Sequence, residues 1–122
     1  MSYTNKTIKH LSAIGYSAQS VEMYNPFSKK RRDLFGFIDV VAVNPDLCKC
    51  VGLQITSRSN VSTRVKKIMS EKRDNAKAWL KAGNEIFVIG WNNANPNNTE
   101  ARVIAIQEIN GELTTAEKTI NL

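Results

Sequence analysis

The sequence predicts an α/β domain in which helices flank a mixed β-sheet. Apolar runs of strand length recur at 35–43, 50–56, 85–91 and 101–107. Two stretches with the three-to-four residue apolar spacing of a helix lie at 4–14 and from about 60 to 82. The second is long enough to connect parallel neighbours, whereas the turn between 43 and 50 joins its two strands as an antiparallel pair.

The elements follow in order. Residues 4–14 are expected to form a first helix with Thr4 or Asn5 as its cap, Gly15 beyond its end, and Ile8, Leu11 and Ile14 as its stripe. A strand at 18–24 ends at Asn25-Pro26, and a basic loop at 27–32 follows. Strands 35–43 and 50–56 surround the Asn44-Pro45-Asp46 turn. Alternation places Asp39, Val41 and Val43 on one face; Cys50, Gly52, Gln54 and Thr56 share a face on the partner. Pairing Val43 with Cys50 sets Asp39 opposite Gln54 and Phe37 opposite Thr56, with Gly52 keeping the surface beside them open. One long helix begins at Asn60 or Ser62 and is stopped by Gly83, with Val65, Ile68, Met69, Ala76, Trp79 and Leu80 as its packing face. Strands at Glu85–Trp91 and Ala101–Gln107 complete the sheet, Asn110-Gly111 marks a tight turn, and loop 92–99 is polar and exposed. Phe35 and Phe37 are expected to pack on the sheet, Trp79 in the core, and His10 on the surface of its helix.

A chain of 122 residues with 42% hydrophobic and 23% charged residues suits one soluble globular domain spanning 1–122. No apolar run is long enough to cross a bilayer and the N-terminus does not resemble a signal peptide, so the expected partner is not a membrane and the expected setting is cytoplasmic. Cys48-Lys49-Cys50 offers neither a disulfide framework nor enough ligands for zinc. Dinucleotide, phosphate-loop and catalytic-serine motifs are absent from the sequence.

The net charge of +6 is unevenly spread. Residues 1–82 hold fifteen basic and six acidic side chains, and residues 83–122 hold two and five. The excess is concentrated in Lys29-Lys30-Arg31-Arg32 and between Arg58 and Lys81, which predicts a surface that attracts a polyanion. Arg73, Lys77 and Lys81 recur every four residues; like charges at that spacing oppose the helix, so an anionic partner explains the ridge better than helix stability does. Arg31, Arg32, Arg58 and Arg64 are candidate phosphate contacts because a guanidinium fork matches phosphate geometry. Lys29, Lys30, Lys67, Arg73 and Lys77 complete the candidate nucleic-acid surface. Ordinary solubilising charge is the plainer reading.

Asp39, an acid inside an apolar strand, is the most constraining residue, because buried charges need partners. Its plainer reading is an edge acid paired with Arg31 or Arg32. With the helix, three strands, helix and strand order, this segment resembles the PD-(D/E)XK restriction-endonuclease-like superfamily, in particular small Holliday-junction-resolvase-like nucleases, over roughly residues 4–91. Family members carry an acid in the second core strand and an acid-x-Lys pattern in the third. Asp39 matches the first acid; Gln54-Ile55-Thr56 stands where acid-x-Lys is expected.

The resemblance implies a restriction-endonuclease-like core and divalent-metal-dependent cleavage of DNA, with branched DNA such as Holliday junctions among the expected substrates, by a homodimer. The implied catalytic residues are Asp39, Gln54, Thr56 and Lys66, with Lys66 or Lys67 supplying the missing lysine charge from the helix. Thr56 is equally readable as a polar residue of the sheet. Mg²⁺ or Mn²⁺ would be held by Asp39, by the amide oxygen of Gln54, and by Asp33, with Glu22 as the alternative acid. The competing expectation is an inactive nucleic-acid-binding relative, which accounts for the departures at 54 and 56.

Overall fold

The computed structural model describes residues 2–93, 95, 97, 98 and 100–121; positions 94, 96 and 99 of the expected polar loop lie outside them. The chain runs α1 (Tyr3–Ala13), β1 (Ser17–Ser20), β2 (Met23–Asn25), β3 (Lys30–Arg32), β4 (Val40–Asn44), β5 (Lys49–Ser57), α2 (Val61–Ser70), α3 (Arg73–Lys81), β6 (Glu85–Trp91), β7 (Ala101–Ile109) and β8 (Glu112–Lys118). A short 3-10 turn at Arg58–Asn60 leads into α2.

Six strands form one mixed sheet in the order β1-β4-β5-β6-β7-β8. Among the described strands only β5 and β6 are parallel, because α2 and α3 carry the chain back between them; the other pairings are antiparallel. The sheet is therefore an α/β mixed sheet flanked by helices, as the sequence predicts. One face packs on α1 through Leu11, Val40, Ala42, Leu53, Ile89 and Trp91. The other packs on α2 and α3 through Val61, Val65, Ile68, Ala76, Ile86 and Val88. Each fully buried aliphatic side chain contributes roughly 1.5–3 kcal/mol to this three-layer core.

Several local expectations are corrected. Ser2, rather than Thr4 or Asn5, caps α1 by accepting from the Asn5 N–H at 3.1 Å. The expected strand 18–24 is two strands in two sheets: β1 pairs with β4, while β2 leaves the main sheet and pairs with β3. The expected basic loop 27–32 is accordingly a hairpin whose return strand is Lys30–Arg32.

The single long helix is broken between Ser70 and Arg73. Six polar residues, Ser70 to Asn75, separate the apolar anchors Met69 and Ala76, so more than a turn has nothing to hold it on the sheet. Ser70 Oγ also bonds the Lys66 carbonyl at 2.7 Å, a local competitor for helix geometry.

The two turn readings match, and those of His10 and Trp79 do not. Val43 pairs with Cys50. Asn44 Oδ1 closes its turn by accepting from the Asp46 and Leu47 N–H groups at 3.1 and 3.2 Å. Asn110 and Gly111 both have positive φ, 53° and 82°, as the tight β7–β8 turn requires. His10 is half-buried rather than a surface residue, its ring edge-on to Trp91 at 6.1 Å. Trp91 is core, donating to Thr7 Oγ1 at 2.8 Å. Trp79 is half-buried and donates to the Glu85 carbonyl at 2.8 Å.

Candidate metal centre and its basic surround

The strand expected at 35–43 begins only at Val40, and Asp39 stands immediately before it. Phe35 and Gly36 both adopt positive φ, 54° and 82°, which turns the chain sharply. Leu34 and Ile38 close this turn by exchanging backbone hydrogen bonds of 3.0 Å each. A bulky residue at positive φ needs support. Asn75 Nδ2 holds the Phe35 carbonyl at 3.0 Å, and the Trp79 ring lies 6.0 Å from the Phe35 ring. Phe37 is thus buried in the α2/α3 core instead of standing opposite Thr56, while Phe35 remains half exposed. Gly52 is not open either: a Cβ there would press on Ile38 and on the Trp79 indole.

Asp39 meets β5 through a local irregularity. Its N–H donates to the Leu53 carbonyl at 2.8 Å, although Leu53 is already the partner of Val40. Two residues facing one is the arrangement of a β-bulge, which re-aims a side chain. Asp39 Oδ2 then accepts from the Ile55 N–H at 2.9 Å and lies 3.4 Å from Gln54 Nε2. Asp39 and Gln54 therefore meet, as the register predicts. Gln54 presents its NH₂ to the carboxylate here; a half-turn of the amide would bring its oxygen to the same place.

Two more acids join Asp39. The Val21 N–H donates to the Asp39 carbonyl at 2.9 Å, which sets the next residue, Glu22, beside it. The Leu34–Ile38 closure brings Asp33 back from the other direction. Carboxylate oxygens of Glu22, Asp33 and Asp39 all lie within 4.8 Å of one another. Asp39 is only 6% exposed. Burial pushes its pKa up to about 7; the negative charges of Asp33 and Glu22 and a hydrogen bond with Asp33 act in the same direction, against the Ile55 N–H. Arg31 offsets part of this charge through Glu22 at 3.8 Å.

A proton or a cation would relieve the remaining repulsion. With three carboxylates and an amide, the donor set is all hard oxygen, and it fits Mg²⁺ or Mn²⁺ rather than a metal that prefers thiolate or imidazole. Sequence reasoning named Asp33 and held Glu22 in reserve; the fold gathers both.

Beside the acids is a recess of about 820 Å³ whose lining includes Lys30, Arg31, Arg32, Asp33, Lys67 and Lys72. Of the two lysines proposed to replace the motif lysine, Lys67 faces this recess; Lys66 is exposed and not part of the lining. Lys72, missed in the sequence because one unbroken helix was expected there, lays its stem over Gly36. Thr56 is buried and pairs with Gly90 across the parallel ladder, where it offers a hydroxyl and no charge.

The remaining basic candidates are dispersed. Lys29 is exposed at the tip of the β2–β3 hairpin, Arg58 is exposed in the 3-10 turn, and Arg64 is half-buried one turn before Lys67. Arg73 pairs with Glu112 at 3.5 Å, so the expected ridge with half-buried Lys77 and exposed Lys81 is not a set of free cations.

Fold and site together define a small α/β protein in which a carboxylate cluster shares Asp33 with a recess that five basic side chains help to line. Comparison of the chain with protein-family models, curated proteins and solved structures returns no match.

Proposed function

We propose that the protein is a divalent-metal-dependent endonuclease of the PD-(D/E)XK type that hydrolyses phosphodiester bonds in DNA. The observation that carries this reading is the convergence of Asp39, Asp33 and Glu22, with Gln54 at 3.4 Å from Asp39, beside a recess lined by arginine and lysine. The succession of α1, β1, β4 and β5, then α2 and α3, then β6 also suits that family's core.

Each group has a task in this chemistry. Asp39, Asp33 and Glu22 would hold the cation, and Gln54, its amide turned over, would add an oxygen without adding charge. Bound there, Mg²⁺ or Mn²⁺ would supply neutralisation of the phosphate charge and a lowered pKa for the attacking water. Arg31 and Arg32 fit phosphate oxygens flanking the scissile bond. Lys67 and Lys72 supply the positive charge that Thr56 lacks. Because Asp39 loses its proton only near pH 7 in the metal-free protein, a cation competes with that proton, and activity rises through neutral pH.

The test is cleavage of linear and branched DNA with Mg²⁺ or Mn²⁺ by the wild-type chain, Asp39→Ala and Asp33→Ala. Cutting that disappears in both variants supports the reading. Equal cutting by all three removes Asp39 from the mechanism. A second reading, a DNA-binding protein that no longer cuts, is favoured by Gln54 and Thr56 at the acid-x-Lys positions and by the Glu22–Arg31 ion pair. Salt-sensitive binding without metal-dependent cutting would select it.

A further inference from the structure

The β2–β3 hairpin carries chemistry that the fold does not use. It forms its own two-stranded sheet with Met23 opposite Arg32, Tyr24 opposite Arg31 and Asn25 opposite Lys30. Asn25 Oδ1 shapes the tip by accepting from the Phe27 N–H at 2.9 Å. Phe27 is 96% exposed, Met23 72% and Tyr24 59%. An aromatic ring wholly in water adds nothing to folding, and three large apolar side chains so close together mark a binding surface.

The position of the hairpin is as informative as its composition. Glu22 immediately precedes β2 and Asp33 immediately follows β3, so two of the three clustered acids are the roots of the arm. At about 3.3 Å per residue, the tip stands on the order of 10 Å beyond them.

We propose that this arm engages DNA at a junction between paired and unpaired strands, with Phe27 and Tyr24 stacking on exposed bases while Lys29, Lys30 and Arg32 hold the flanking phosphates. Charge chooses the occupant: across the hairpin from the strand that carries Met23 and Tyr24 run four successive cations, Lys29 to Arg32, which complement a polyanion. Every base has a face on which an aromatic ring can stack, and it is free only where pairing is interrupted. The arm thereby adds to the nuclease reading, on which it rests, a base-stacking contact of its own, made where pairing is interrupted.

Equilibrium binding of the full chain, in metal-free buffer so that nothing is cut, separates the possibilities. The probes are a linear duplex and a three-way junction carrying 2-aminopurine at the branch point. Phe27→Ala is expected to weaken junction binding roughly ten- to hundred-fold while leaving linear duplex binding within about two-fold, and to abolish the 2-aminopurine quench. Phe27→Trp is expected to retain both. Equal weakening on the two DNAs, no change on either, or no binding by the wild-type chain would overturn the proposal. So would loss of a dimer in Phe27→Ala, or wild-type capture by anionic vesicles that leaves junction binding unaffected by the substitution. Junction binding that needs Phe27 in a protein that never cuts keeps the arm and removes the hydrolase. Cutting that needs Asp39 but ignores Phe27 and branching does the reverse.

Discussion

Asp39 sits where a carboxylate is uncomfortable, and its titration should show it. Its pKa rises from 3.8 to about 7 on folding. Between those values the folded chain holds a proton that the unfolded chain has released, so stability falls as pH rises from about 4 to about 7. The loss is on the order of a few kcal/mol. Asp39→Asn keeps an oxygen for the Ile55 N–H and removes the charge. In the metal-free protein its Tm should exceed wild type by several degrees at pH 8 and match it near pH 4. A lower Tm at pH 8 would mean that the carboxylate is stabilising as it stands. Lys67 and Lys72 belong to the same scale. Lys67→Ala and Lys72→Ala should each slow cleavage with little effect on melting, whereas Lys66→Ala should leave the rate near wild type. A rate loss confined to Lys66→Ala would return the substitute charge to the outward face of α2.

Among the elements, β5 does most to place the site. It is buried over Val51–Gln54 and again at Thr56, and it gives Asp39 both the Leu53 carbonyl and the Ile55 N–H. Its crossover partner β6 is pressed just as closely: a Cβ at Gly90 would overlap Val61, the backbone of Arg58 and the Ser57 carbonyl. Gly90→Ala should therefore destabilise by about 1–3 kcal/mol, measured by denaturant unfolding, because main chain cannot swing aside as a side chain can. Unchanged stability would show that the entry to α2 is looser than this packing implies.

The Val43–Cys50 register was legible because a short turn and two alternating patterns leave few pairings. The loop 34–38 was not. Phe35 at positive φ is a tertiary effect of Asn75 and Trp79, and a local pattern reads Leu34–Ile38 as plain strand. The helix break was partly legible, since the polar run Ser70–Asn75 interrupts the apolar stripe without any proline or glycine to flag it.

At the scale of the whole molecule, positive charge and acidic cluster occupy one neighbourhood although their residues come from distant parts of the chain. Arg31 and Arg32 come from the hairpin, Lys67 from α2 and Lys72 from the break before α3. Alternation and charge counts on single elements could predict the basic surface and the Asp39–Gln54 meeting. They could not choose between Asp33 and Glu22, because that depends on how β1 and the 34–38 turn close around Asp39. DNA binding should weaken linearly with the logarithm of salt concentration, and Lys67→Ala should shallow that slope by about one. An unchanged slope would place Lys67 off the phosphate track.

The most direct measurement is Mn²⁺ binding to the purified chain, followed by calorimetry and by the electron paramagnetic resonance of the ion, at pH 8 and at pH 5.5. One ion per chain at pH 8, markedly weaker binding at pH 5.5 and its loss in Asp39→Asn are the results expected of a carboxylate centre in which a proton and a cation compete. Binding that ignores both pH and Asp39→Asn, or no binding at all, would contradict it.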